Sequence, residues 1–336
     1  MKNKKIILAG GTGFIGEEMT KYFGKENHIV ILTRQVKNQK TNRNDYNSLS
    51  AADLEHVTYV RWEPRADNAV EGTKAVDEWM NQLNGADMII NLAGKSVNCR
   101  YNQKNKNEIF DSRTDAVKAI GEAIRKCSKP PSLWINASSA TIYRNATDRP
   151  QDEYNGEFHN DFSVQVCKRW EETFYQEQTP DTRKVALRMA ITLGPGGILL
   201  PYFNLLKFGL GGKQASGKQM YSWVHSEDTC RMIEWIHEHE DITGTYNCSS
   251  PNPVTNEEFM RILRKVTGTA VGLPAHKWML QIGAPIIGTE LELVLKSRWV
   301  IPTKILETGF QFKYPLLEQA LNDIISKVPR KQYHLL

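Results

Sequence analysis

Short apolar runs alternate with amphipathic stretches along the first 193 residues. The runs fall at 6–9, 28–32, 57–62, 87–92, 133–137 and 184–191. Runs of this length, bounded by polar or turn residues, predict strands buried on both faces. Between them, spacing with a helical period predicts helices near 75–83, 105–126 and 162–176. Strand–helix alternation of this kind predicts a doubly wound parallel sheet. Each run ends in small or polar residues at its carboxyl side, the edge where such sheets bind ligands. The polar stretch 35–56 reads as a mobile insertion.

Beyond Leu193 the rhythm changes. Gly194-Pro195-Gly196-Gly197 and the glycines at 209, 211 and 212 break it. A helix is expected over 226–240 and a short strand over 245–248. Thr255 and Glu258 form a capping box that opens another helix. Helical patches broken by Pro285, Pro302 and Pro315 fill the tail. The expected architecture is α/β: a Rossmann-type sheet over 1–193 with a return segment near 220–248. A smaller C-terminal α/β lobe from 194–219 and 249–336 would close over the substrate side.

A chain of 336 residues buries a sizeable core. The net charge of +5 is spread out, and the densest basic stretch, 100–106, reads as a solvated loop, so no nucleic-acid partner is expected. The five cysteines, at 99, 127, 167, 230 and 248, show no metal-ligand or disulfide spacing. No apolar run approaches the roughly 20 residues of a membrane span. The glycine-rich segment begins almost at Met1, which leaves no room before it for a signal peptide. A cytoplasmic protein without metal is expected.

That glycine-rich segment carries the chemistry. Gly10, Gly13 and Gly16 follow the first strand directly. They allow a tight turn, close approach of backbone to a pyrophosphate and close helix–strand packing. A helix starting near Phe14 would point the N–H groups around Thr12, Phe14, Ile15 and Gly16 at the phosphates. The second strand ends in Thr33-Arg34 with no acid nearby. A hydroxyl and a guanidinium there suit a 2′-phosphate, so NADP(H) is expected rather than NAD(H).

Taken together, these motifs resemble the extended branch of the short-chain dehydrogenase/reductases. Asn91-Leu92-Ala93-Gly94 resembles its fourth-strand motif. Ser138-Ser139-Ala140-Thr141-Ile142-Tyr143 resembles its fifth-strand motif, and Leu187-Arg188 through Gly194-Pro195 its sixth. Segments 106–113, 208–225, 251–259 and 300–315 resemble more closely an atypical epimerase-like family with a C-terminal domain of unknown function, here about 280–330. The resemblance implies NADP(H) held by the glycine loop, Leu92, Ala93, Gly94, Lys168 and Arg188, and oxidoreductase or epimerase chemistry on a small molecule. Members of the wider superfamily often dimerise, which makes a homodimer an expectation.

The resembled chemistry uses a Tyr-x-x-x-Lys pair on one helix face, with a Ser or Thr beside the substrate carbonyl. Ser139 fits the serine and Lys168 the lysine, but Val164 stands four residues before Lys168. Valine exchanges no proton. Tyr143, Tyr154 and Tyr221 are candidate substitutes, although buried tyrosines usually serve as packing with a satisfied hydroxyl. Arg188 reads as an anion contact or as the partner of an internal carboxylate. His225 reads as a proton-transfer group or as a helix cap. Two functions stay open: an oxidoreductase with an altered proton donor, and a non-catalytic NADP(H)-binding redox sensor.

Overall fold

The computed structural model describes all residues except 37–48, 51, 52, 54, 65–73, 287–291, 293, 294, 335 and 336. Much of the expected insertion over 35–56 therefore lies outside the described residues.

Seven parallel strands make the main sheet: β1 Lys5–Ala9, β2 His28–Thr33, β3 Val57–Arg61, β4 Met88–Asn91, β5 Leu133–Ser139, β6 Arg183–Met189 and β10 Gly244–Cys248. Their spatial order is β10-β6-β5-β4-β1-β2-β3, so the order reverses at β1. Ile6, Ile7, Leu8 and Ala9 are fully buried, as a central strand covered on both faces requires. Helices α1 Phe14–Phe23, α2 Lys74–Leu83, α3 Gln103–Lys126, α4 Phe162–Gln176 and α6 Ser226–Glu238 connect or cover these strands.

The sixth apolar run divides. Ala190 N–H still donates to Cys248 O in the main sheet, at 2.9 Å. The next residue, Ile191, donates instead to Ser222 O. From there β7 Ile191–Leu193 pairs in parallel with β9 Trp223–His225, away from the main sheet, while the two-residue β8 Met220–Tyr221 pairs antiparallel with Val254–Thr255. A change of hydrogen-bond partner at one residue thus ends the sheet strand earlier than its apolar run.

A second apolar cluster joins Leu199, Phe203 and Leu206 of α5 (Leu199–Lys207) to Phe259 and Leu263 of α7 (Asn256–Thr267) and to Leu321 and Ile324 of the helix Leu317–Ser326. The tail is pinned to α6 by Asp228. This fully buried carboxylate accepts from the N–H groups of Lys313 and Tyr314, both at 2.8 Å, and pairs with Arg231. Thr255 caps α7 by accepting from Glu258 N–H, as the capping box predicts. Among the described residues, no helix is long and apolar enough to cross a membrane.

Candidate functional site

A cavity of ≈ 480 Å³ opens at the carboxyl edge of the sheet, beside β1 where the strand order reverses. Gly10, Gly13, Phe14, Ile15 and Gly16 form one wall. Gly10 has φ +75°, and a Cβ there would come within 2.8 Å of Ala93 Cα. At Gly16 a Cβ would run into the Gly11 carbonyl, so the helix start and the turn can pack only without one. Around Gly13 there is open space within 4 Å of a Cβ position. Gly13 is also the N-cap of α1, and no side chain caps that helix. The first N–H groups and the positive dipole end of α1 are thus left for a ligand, and the chemistry of such a donor set suits a phosphate.

The next wall is set by paired asparagines. Asn91 on β4 and Asn136 on β5 are neighbours in register. Asn91 Nδ2 donates to Asn136 Oδ1 at 2.7 Å, and Asn91 Oδ1 accepts from Ala93 N–H at 3.0 Å. Both side chains are fully buried, so these bonds also satisfy groups that burial would otherwise penalise. They fix the segment Leu92-Ala93-Gly94 across from Gly10. Leu92 lines the cavity, and Ala93 and Gly94 back it. Ser139 lines it at the end of β5, and its Oγ caps the following turn by accepting from Thr141 N–H at 3.2 Å.

Helix α4 closes the far side and corrects the expected register. The residues it turns toward the cavity are Phe162, Ser163, Val166, Cys167 and Trp170. Lys168 is exposed and does not line the cavity. Val164 is fully buried elsewhere in the core. Of the residues at four-residue spacing that face the cavity, the pair with polar side chains is Ser163 and Cys167, one position earlier than Val164 and Lys168. Burial pushes the Cys167 thiol up to about 12, so it stays protonated at neutral pH.

Ser163 is tied to a part of the chain far away in sequence. Its Oγ donates to Glu292 Oε1 at 2.5 Å. The Lys296 ammonium, only 3% exposed, lies 3.5 Å from the same Oγ, 3.1 Å from Thr141 O and 3.3 Å from Asp161 Oδ2. Burial pushes the Lys296 pKa down, against the pull of the Glu292 and Asp161 carboxylates. An ammonium and a carboxylate from the tail thus stand at the position where the helix itself offers only serine and cysteine.

Tyr143 is not a cavity residue. It is 1% exposed, its hydroxyl donates to Asn247 Oδ1 at 2.9 Å and accepts from Arg188 NH1 at 2.8 Å. Burial pushes its pKa up to about 12, against the pull of Arg188. Arg188 does not reach the cavity either. It belongs to the internal-carboxylate reading, gripping Glu171, which also accepts from Ser138 Oγ at 2.6 Å. Tyr154 is exposed and donates to Glu307, while Tyr221 is buried in the second apolar cluster. His225 is the helix cap: its Nδ1 accepts from Glu227 N–H at 3.0 Å. Thr33 and Arg34 stand together at the carboxyl end of β2, Thr33 buried and Arg34 exposed.

Sequence reasoning missed Arg113, Ser163, Cys167 and Trp170. Arg113 and Trp170 also line the cavity, with the guanidinium 5.0 Å over the indole. Helical spacing groups three of them without saying which face meets the cavity. Residues 163, 167 and 170 recur at helical spacing, so one of them facing the sheet edge brings the others with it.

The comparisons agree with this geometry. The model of the NAD dependent epimerase/dehydratase family matches residues 6–249, and that of a domain of unknown function matches 277–324. The chain is 29% identical over 326 residues to the epimerase family protein YfhF of Bacillus subtilis, covering 96% of this chain and 98% of that protein. It is 31% identical over 325 residues to an epimerase family protein of Staphylococcus saprophyticus, covering 96% and 99%. Among solved structures, human epimerase family protein SDR39U1 with NADPH superposes with a TM-score of 0.77 at 24% identity, covering 96% of this chain and 99% of that one. A UDP-N-acetylglucosamine 4-epimerase of Methanobrevibacter ruminantium gives 0.71 at 15%, covering 97% and 98%. With a glycine cradle at the switch point of a seven-stranded parallel sheet and a family model over most of its length, the chain belongs to the NAD dependent epimerase/dehydratase family and has its NAD(P)-binding fold.

Proposed function

We propose that the protein is an NADP(H)-dependent oxidoreductase or epimerase-like enzyme acting on a small carbonyl or alcohol, with a proton-transfer group that is not the usual tyrosine. The observation that carries this reading is the continuity of one cavity. It runs from the uncapped start of α1, suited to a pyrophosphate, to the hydroxyl-bearing residues Ser139, Thr141 and Ser163. When bound, the nicotinamide supplies hydride chemistry. Ser139 would orient the substrate oxygen. In alcohol oxidation Ser163 would take the hydroxyl proton as it passes its own to the Glu292 carboxylate; in carbonyl reduction a protonated Glu292 would return that proton to Ser163 as Ser163 protonates the substrate oxygen, with the Lys296 ammonium beside the Ser163 oxygen. Preference for the 2′-phosphorylated cofactor follows from Thr33 and Arg34, and the NADPH in the human relative's structure supports it.

A second reading has its own observation. The cavity face of α4 has neither tyrosine nor lysine, as a redox sensor that keeps its nucleotide but does no chemistry would show. NADPH oxidation against a panel of aldehydes, ketones and oxo acids separates the two. Turnover by the wild type that is lost in Ser163→Ala, with NADPH still bound, supports the enzyme. Bound NADPH that stays unoxidised across the panel overturns it in favour of the sensor.

A further inference from the structure

Arg113 is a cation for which the described fold supplies no counter-charge. Its NH1 donates to two carbonyls, Ile109 O at 2.8 Å and Lys95 O at 3.1 Å. Its guanidinium lies over the Trp170 ring, and Gly94 makes room for it, since a Cβ there would come within 3.0 Å of Cζ. Burial depresses its pKa, and the opposing influences are only Cys167 and Tyr101. Among the described residues no carboxylate reaches it. Arg188 shows how this fold treats another inward-facing guanidinium, with both oxygens of Glu171 in its fork. Carbonyls and an indole face soften the burial of a charge but do not neutralise it.

Trp170 lines the cavity with Arg113, and its buried Nε1–H has no acceptor. The buried Nε1–H groups of Trp62 and Trp134, which do not line the cavity, are unpaired as well, so it is the charge of Arg113 that points to a ligand. An oxyanion in the cavity would pair with the charged fork of Arg113, with the Trp170 ring backing the guanidinium.

We propose that Arg113, backed by the Trp170 ring, forms an anion subsite of the cavity that takes the carboxylate or phosphate of a bound small molecule. The anion has two sources, a phosphate of the cofactor or an acidic group on the substrate. The cofactor arm rests on the nucleotide reading above, whereas the free-anion arm does not.

Isothermal titration of the full chain with NADPH, inorganic phosphate and pyruvate, on wild type, Arg113→Met and Arg113→Lys, tests this. Methionine keeps a stem on Trp170 and removes the charge. For a substrate anion, phosphate or pyruvate binds the NADPH-loaded wild type, and Arg113→Met weakens that by about tenfold or more while NADPH affinity holds. For a cofactor phosphate, Arg113→Met weakens NADPH by about tenfold or more, and free phosphate competes with NADPH in the wild type. Arg113→Lys retains part of the binding in either case. A folded Arg113→Met that binds every probe like the wild type overturns the proposal, as does a wild type that binds none of them. If Arg113→Met does not fold, equal anion binding by Arg113→Lys and Arg113→Gln overturns it. Phosphate bound through Arg113 by a chain that never binds NADPH would uphold the subsite and refute the nucleotide reading.

Discussion

Arg188 grips Glu171 with two parallel hydrogen bonds, Nε to Oε1 at 2.9 Å and NH2 to Oε2 at 2.8 Å. Both side chains are only 10% exposed. The pair ties β6 to α4, and therefore sets where α4 stands against the cavity. Burial opposes the charge on Arg188, but the bonds and charge of Glu171 outweigh it and raise its pKa. Arg188→Met would leave a carboxylate buried without its cation, at a cost of about 3–5 kcal/mol. Urea unfolding checks this, and the double variant with Glu171→Gln should recover much of the loss. A single variant as stable as the wild type would contradict the role.

Tyr143→Phe should leave NADPH affinity unchanged. The hydroxyl bridges Arg188 and Asn247 and faces no ligand space. Its loss should cost about 1–3 kcal/mol of stability, because buried polar groups lose a partner. Thermal unfolding beside an NADPH titration measures both. Weakened NADPH binding at unchanged stability would return Tyr143 to the site.

Register on α4 makes a sharper prediction. Val164 is fully buried, so Val164→Tyr overpacks the core and should lower the melting temperature. Ser163→Tyr with Cys167→Lys instead places the tyrosine–lysine pair on the cavity face. That double variant should gain, or increase, NADPH-dependent carbonyl reduction. Activity gained by Val164→Tyr and not by the double variant would show that the facing pair is the other one.

His225 couples stability to pH. The backbone N–H of Glu227 can only donate, so Nδ1 is the unprotonated nitrogen and Nε2 carries the proton toward Asp323, at 3.1 Å. Burial lowers its pKa from 6.5, partly offset by Asp323 and Asp228. Below 6.5 the unfolded chain takes up a proton that the folded chain resists, so stability rises with pH through that window and is lost as pH falls. His225→Asn, which can still accept at the cap, should flatten the slope in melting temperature between about pH 5 and 6.5. An unchanged slope would contradict the assignment.

The strands and the glycine cradle were legible because each depends on local pattern. An apolar run after a lysine-rich start, then glycines at fixed spacing, constrain the backbone alone. The sequence limits of α4, 162–176, match the structure for the same reason. Its face was not legible. Val164, Val166, Cys167 and Trp170 are all buried, so apolar spacing does not say which four-residue pair meets the cavity. Tyr143 ends a motif at the sheet edge, but the turn that Ser139 caps folds it back onto Arg188. Glu292 and Lys296 reach Ser163 across 129 and 133 residues of chain, a proximity that only the tertiary fold creates.

The central claim, a site built for NADP(H), is tested most directly by titrating NADPH and NADH into the wild type and Arg34→Ala, following nicotinamide fluorescence. A guanidinium on a phosphate contributes a charge-assisted bond, so NADPH should bind the wild type about tenfold or more tightly than NADH. Arg34→Ala should remove most of that preference and leave NADH affinity nearly unchanged. Equal affinity for the two in the wild type, untouched by Arg34→Ala, would contradict the account.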